Sequence, residues 1–210
     1  DLNKTVALIE DAANAMKQIA KSGKKILFVA TKKQAKGIVA ETAQALNMPY
    51  ITERWPGGLL TNFATIRKSI KKMQTIDKMK EDGTFDSLSK RERLQIDRQR
   101  AKLELNLGSI VKMTRMPEAI FVIDTNKERI SVAEANHLGI RTFAMTDTNT
   151  NPKLINFPIP GNDDAAKSIE CIVSAIKEAI AEGLEERGAE QAVKDEQKKE
   201  KAKQISEEKE

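Results

Sequence analysis

The chain alternates short apolar runs with longer amphipathic stretches. Strand-length runs are predicted at residues 26–30, 50–52, 119–124, 140–146 and 155–159. Stretches that repeat apolar side chains every three or four residues predict helices at residues 2–20, 33–47, 127–138 and 165–180. This order predicts an α/β fold, a flavodoxin-like three-layer sandwich with a five-stranded parallel sheet. Pro158 cannot donate to a ladder, so the last strand is expected to be short or to lie at an edge.

A central segment interrupts this alternation. Residues 61–80 and 90–107 are rich in Lys and Arg and carry only narrow apolar seams around a polar turn. Ser89-Lys90-Arg91-Glu92 has the spacing of a capping box at the start of the second stretch. Narrow seams on long charged helices predict an inserted α-helical coiled-coil hairpin that projects from the domain.

The predicted boundaries follow from these patterns. Residues 1–60 and 111–183 form the two parts of the α/β domain, and residues 61–110 form the inserted hairpin. In residues 184–210 large hydrophobic side chains are few, so we expect a charged tail that is a frayed helix or disordered. The chain starts at Asp1 rather than Met, which favours a trimmed start. No apolar stretch approaches the ~18 residues of a membrane span, so a soluble protein is expected.

Positive charge is concentrated in the first half of the chain. Lys and Arg exceed Asp and Glu by 4 in residues 1–60 and by 5 in residues 61–110, within a net charge of +5. Such a surface fits a polyanion such as nucleic acid, and an ordinary solvated surface fits nearly as well. The candidate RNA contacts are Lys24, Lys25, Lys32, Lys33, Arg54, Arg67, Lys68, Lys71 and Lys72. Three of them are spaced to share one helix face away from the apolar seam: Lys68, Lys71 and Lys72.

Candidate catalytic and metal-binding residues are few. A single cysteine, Cys171, excludes an internal disulfide and fits a reducing cytoplasm, and a single histidine, His137, leaves too few ligands for an ordinary zinc site. Cys171 falls in a predicted helical apolar pattern and His137 near a helix end, so structural roles are expected for both. Asp124 and Asp147 follow strands, where metal or catalytic carboxylates occur, but turn and capping roles are favoured. No metal site is predicted.

The first strand-to-helix turn bears on nucleotide binding. Thr31-Lys32-Lys33-Gln34 lacks the glycines of the dinucleotide-binding and P-loop motifs, so no nucleotide cofactor is predicted. The turn still offers groups that grip a phosphate, from RNA or from a cofactor. Two rivals to an RNA-binding protein therefore stay open: a nucleotide-dependent enzyme with a basic helical arm, and a protein–protein adaptor that uses residues 61–110.

Arg54-Trp55-Pro56-Gly57-Gly58 stands between the second strand and the hairpin. We interpret it as a structural elbow in which Trp55 packs the junction and the glycines permit positive φ. The alternative role of Trp55 is base stacking or a cation–π contact with RNA. For Arg54 the RNA contact is favoured.

Several segments resemble, in order, the signatures of the bacterial small-subunit ribosomal protein S2 family. They are residues 28–35 (FVATKKQA), 54–63 (RWPGGLLTNF), 117–124 (PEAIFVID), 134–140 (EANHLGI), 147–149 (DTN) and 159–165 (IPGNDDA). The resemblance covers about residues 1–183. The family's usual N-terminal stretch, with its His-Phe-Gly-His-like segment, is absent before Asp1, so its RNA contacts cannot be assigned to this chain.

The resemblance implies a role as well as a fold. It implies a structural constituent of the small (30S) ribosomal subunit without enzyme activity, ribosome-bound in the cytoplasm. It further implies contact with 16S-type rRNA and neighbouring ribosomal proteins, on the solvent side where head meets body. In many bacteria the family also implies a docking surface for the mRNA-binding protein S1 near the mRNA exit.

Overall fold

The computed structural model describes the backbone of residues 2–207 and the side chains of residues 2–192. The helices are α1 (Leu2–Lys21), α2 (Lys33–Ala45), α3 (Phe63–Glu81), α4 (Lys90–Leu107), α5 (Arg129–His137) and α6 (Ala166–Glu207). The strands are β1 (Ile26–Val29), β2 (Tyr50–Ile51), β3 (Ala119–Ile123), β4 (Arg141–Thr146) and β5 (Phe157–Pro160). Among the residues so described, no helix combines the length and apolarity that a membrane crossing requires.

The five strands form one parallel sheet in the order β2-β1-β3-β4-β5. This order confirms the predicted flavodoxin-like fold. Strand β5, which contains Pro158, lies at an edge as predicted. It begins two residues later than expected because the side chain of Asn156 replaces ladder bonds there. Its Oδ1 accepts from the Thr142 amide at 2.8 Å, and its own amide donates to the Thr142 hydroxyl at 3.0 Å.

Helices cover both faces of the sheet, which makes the three layers. Alternate residues of β1 point to opposite sides, as strand geometry requires. Ile26 and Phe28 join the core formed with α1, α2 and α6, while Leu27 and Val29 join the core formed with α5 and the base of the hairpin. All four are fully buried, so each face of the central strands has its own apolar core.

The inserted hairpin is confirmed, and its helices lie within two residues of their predicted ends. The capping box is present: the Glu92 amide donates to Ser89 Oγ, and the Ser89 amide donates to the Glu92 carboxylate. Ion pairs also join the two helices towards the tip. Lys80 Nζ lies 2.6 Å from Asp97 Oδ1, and Arg100 Nε lies 2.7 Å from Asp77 Oδ1.

Helix α6 passes the boundary predicted at Gly183 without interruption. A Cβ placed on Gly183 would lie 2.5 Å from the Lys17 carbonyl oxygen, so only glycine allows α1 this close. Beyond it, Glu186 pairs with Lys17 at 2.8 Å and with Lys21 at 3.0 Å. The apolar pattern of α6 fades beyond Gly183, where ion pairs join this helix to α1. Of the predicted tail, the side chains of residues 193–210 lie outside the described residues.

Candidate nucleic-acid interface

The side chain of Lys32 lies inside an ionic cluster at the carboxyl ends of the strands. Its Nζ lies 2.6 Å from Asp163 Oδ1, 2.6 Å from Asp164 Oδ1 and 3.5 Å from Asp124 Oδ2. Burial lowers the pKa of Lys32, but the carboxylates outweigh it and hold that pKa above its ordinary value. The cluster lies at the carboxyl ends of β1 and β3, and the helices that follow these two strands, α2 and α5, pack on opposite faces of the sheet. Proteins of this fold class bind ligands in the crevice at such a point. Lys32, a predicted RNA contact, is thus directed inward.

The same edge carries a group of carboxylates with the spacing of metal ligands. Asp147, Asp163 and Asp164 each present an oxygen within 4.8 Å of the others. Two of them already contact the ammonium of Lys32. The predicted turn roles are also visible: Asp124 Oδ1 accepts from the Lys127 amide at 3.0 Å, and Asp147 Oδ1 accepts from the Thr148 amide at 2.6 Å.

Thr31, the other candidate phosphate ligand of this turn, uses its donors within the protein. Both its hydroxyl and its amide donate to the carboxylate of Glu128, which is 3% exposed. Burial raises the pKa of Glu128, against the hydrogen bonds from Thr31. Lys127 Nζ donates to the Thr31 carbonyl at 3.1 Å. Thr31 and Lys32 of the first strand-to-helix turn are therefore engaged by neighbouring groups of the protein, whereas Lys33 of the same turn is exposed.

One carboxylate, that of Glu134 on α5, organises the elbow. Glu134 Oε1 accepts from the indole N–H of Trp55 at 3.0 Å and from the Gly58 amide at 2.8 Å. Glu134 Oε2 accepts from the Leu60 amide at 3.0 Å, and from the amide and hydroxyl of Thr61 at 3.1 Å and 3.2 Å. Trp55 is 7% exposed, packed in the core beside the hairpin base.

The sequence interpretation missed the role of Glu134. Burial raises its pKa, but the hydrogen bonds from Trp55 and three backbone amides outweigh burial and hold the pKa below its ordinary value. The carboxylate is therefore charged at neutral pH, and its charge is spread over five donors. A signal existed in the sequence, because Glu134 falls among Ser131, Val132 and Ala135 on the buried face of α5.

The elbow glycines differ from each other. Gly58 has φ +82°, whereas Gly57 is not among the positive-φ residues. A Cβ on Gly58 would lie 3.3 Å from the Asn62 Cβ, and a Cβ on Gly57 would meet no atom within 4 Å.

We expect Gly58→Ala to lower the free energy of unfolding by about 1–2 kcal/mol, because a left-handed backbone disfavours a side chain. Gly57→Ala, the matched control, should change it by less than about 0.5 kcal/mol. Chemical denaturation of both variants measures the difference. Equal effects would show that the conformation of Gly58 does not constrain the elbow.

The candidate RNA contacts do not form one patch. Lys24 and Lys25 precede β1 and so lie at the amino edge of the sheet, while Lys33 and Arg54 follow β1 and β2 at the carboxyl edge. Apart from Lys32, the others lie on α3: Arg67, Lys68, Lys71 and Lys72. Lys24 and Lys33 stand at opposite ends of one strand, so a single flat surface cannot include both.

Four of the nine candidates are engaged by the protein itself. Lys32 lies in the ionic cluster described above, and Lys25 Nζ donates to the Asn47 carbonyl at 2.7 Å. Lys24 Nζ lies 2.7 Å from Glu118 Oε2, and the half-buried Arg67 donates to the Met113 carbonyl at 3.2 Å. Lys33 and Arg54 are exposed.

The side chain of Cys171 is also exposed, a correction to its expected place in the apolar pattern. Ile169, Ile172 and Val173 fill the buried face of α6 and leave Cys171 outside it.

Three lysines of α3 form a free cationic face, defined here as Lys68, Lys71 and Lys72. All three are exposed, opposite the buried Ile70 and Met73. Among the described residues, none of them lies within 4.0 Å of a carboxylate. Cations nearer the tip, such as Lys80 and Arg100, are instead paired across the hairpin. Unpaired charge on a rigid helix is suited to phosphate contacts.

Comparison with known proteins gives a consistent set of relatives. A family model described as "Ribosomal protein S2" matches residues 1–183. The small ribosomal subunit protein uS2 of Phocaeicola vulgatus is 67% identical over 190 residues, which cover 90% of this chain and 68% of that protein. The uS2 protein of Flavobacterium johnsoniae is 63% identical over 193 residues, which cover 92% of this chain and 76% of that protein.

Proposed function

The chain belongs to the ribosomal protein S2 family, and from that premise we propose that it is a non-catalytic constituent of the small ribosomal subunit that binds 16S-type rRNA. The observation that carries the RNA contact is the free cationic face of α3. Within the part of the chain whose side chains are described, those lysines neither pair with carboxylates nor pack in a core, so they are available to phosphates. Lys33 and Arg54, also exposed, extend the proposed contact to the carboxyl edge of the sheet.

The proposed position is the solvent side of the subunit where head meets body, among neighbouring ribosomal proteins. In bacteria that have protein S1, the α/β body would also provide its docking surface near the mRNA exit. Both statements rest on the family. Crosslinking of assembled subunits followed by mass spectrometry tests them, since each predicts specific neighbours for this chain.

The experiment for RNA binding compares two RNAs of equal length over a range of salt: a 16S-type fragment and an unrelated sequence. We expect tighter binding of the 16S-type fragment at every salt concentration. We also expect log affinity to fall linearly with log salt, because each phosphate contact releases counterions. Absence of binding, or equal affinity for both RNAs throughout, would contradict the proposed function.

The rival enzyme hypothesis makes a different prediction about small ligands. The ligand crevice of the sheet holds Lys32 and its carboxylates, and the donors of Thr31 face Glu128. We therefore expect thermal melts of the chain to be unchanged by ATP, GTP or NAD. A saturable rise in Tm with one nucleotide, as mass action requires of a native-state ligand, would favour the enzyme.

A further inference from the structure

We propose that a cavity at the amino edge of the sheet binds a backbone phosphate of RNA through Lys25 and Lys112, with Arg187 adding positive charge beside it. This inference rests on the proposed function and adds a second contact surface, separate from α3 and from the carboxyl edge. Lys112 and Arg187 were not among the residues predicted from the sequence.

The cavity is formed where three distant parts of the chain meet. Its volume is about 590 Å³, and its lining includes Lys25, Tyr50 and Lys112. Arg187 of α6 packs against Gly23, two residues before Lys25, and its positive charge acts on the Lys25 ammonium. The three cations thus come from the residue before β1, the segment after the hairpin and the last helix.

These cations have no anionic partner among the described residues. Lys25 and Lys112 are exposed, Arg187 is half-buried, and none of the three lies within 4.0 Å of a carboxylate. Lys25 Nζ is held in place by donating to the Asn47 carbonyl at 2.7 Å. Burial, and then the positive charges of Arg187 and Lys112, lower the pKa of Lys25. A bound phosphate would relieve this mutual repulsion.

The remaining lining favours RNA over a bare anion. Tyr50 is half-buried in the wall and accepts a hydrogen bond from Gln44 Nε2 at 2.6 Å. Gln44 and Asn47 line the same cavity. An aromatic ring and amide groups beside a phosphate site are the groups that contact sugars and bases. The neighbouring Lys24 does not contribute, since it pairs with Glu118.

The test is Lys25→Ala/Lys112→Ala in the full chain, measured against 16S-type rRNA over a range of salt. The matched control is Lys153→Ala/Lys167→Ala, which removes the same charge at exposed positions elsewhere on the surface. Loss of this phosphate contact should lower the slope of log affinity against log salt by roughly 0.7–0.9, and the control should keep the parent slope. Without RNA and at low salt, the melting temperature of Lys25→Ala/Lys112→Ala should be no lower than that of the parent, because the repulsion among Lys25, Lys112 and Arg187 is removed.

Each other outcome overturns the inference in a recognisable way. A parent chain that binds no rRNA contradicts the proposed function itself. A parent that binds, with a cavity variant of unchanged slope, contradicts only the cavity site. A cavity variant that melts well below the parent shows that the lysines serve the fold. A rise in parent Tm with inorganic phosphate, together with an unchanged RNA slope, assigns the cavity to a free anion.

Discussion

Glu134→Gln is expected to lower the free energy of unfolding by about 2–4 kcal/mol, because buried donors left unsatisfied cost about 1–3 kcal/mol each. Glutamine keeps one acceptor oxygen, and its amide would face the donors of either Trp55 and Gly58 or Leu60 and Thr61. Buried donors left without an acceptor are costly. For a chain of this size the melting temperature should fall by roughly 10 °C.

The control is Glu178→Gln, at an exposed position of α6, which should change the free energy of unfolding by less than about 0.5 kcal/mol.

The pH dependence of stability gives a second measurement of the role of Glu134. The pKa of Glu134 is lowered on folding, so its contribution is complete above the unfolded value of about 4.3 and is lost as pH falls through the lower folded value. The difference in the free energy of unfolding between the parent and Glu134→Gln should therefore shrink as the pH falls into the acid range. A constant difference from pH 7 to pH 2 would contradict this role for Glu134.

Removing the free cationic face, with Lys68→Ala/Lys71→Ala/Lys72→Ala, should weaken binding of 16S-type rRNA by roughly 100-fold near 0.1 M salt. Three lost phosphate contacts should also lower the salt slope by roughly 2–3. Alanine has a high helix propensity and the buried residues of α3 are untouched, so the hairpin should stay folded. Filter binding over a salt series gives the affinity and the slope.

The matched control for α3 is Lys4→Ala/Lys153→Ala/Lys167→Ala, which removes the same charge from exposed positions elsewhere. It should bind with nearly the parent affinity and slope. If the α3 variant and this control weaken binding equally, the effect comes from net charge, and α3 is not the contact surface.

The parts of the fold that the sequence predicted are those with a local signal. Residues 119–123 form a continuous apolar run, which predicts a strand buried on both faces, and β3 has that burial throughout. Ser89 and Glu92 carry the capping spacing that starts α4. Pro158 restricts its strand to an edge. In each case the chemistry lies within a few residues, so no knowledge of distant partners is required.

The parts that were missed depend on distant partners. In the sequence, Lys32 and Lys33 stand side by side and both look like exposed lysines. In the fold, Lys32 contacts Asp163 and Asp164, which lie 131 and 132 residues further along the chain. Glu134 contacts the elbow across more than 70 residues. Spacing along the chain cannot predict such meetings. The sequence therefore identified cationic candidates but could not separate the free lysines of α3 from the engaged Lys32.

The most direct test of the central claim is sucrose-gradient fractionation of cell extracts, with this chain followed by mass spectrometry. A small-subunit constituent should appear in the small-subunit and whole-ribosome fractions, in constant proportion to other small-subunit proteins. The Lys68→Ala/Lys71→Ala/Lys72→Ala variant should shift towards the top of the gradient. A parent chain that stays at the top of the gradient, apart from both fractions, would contradict the account.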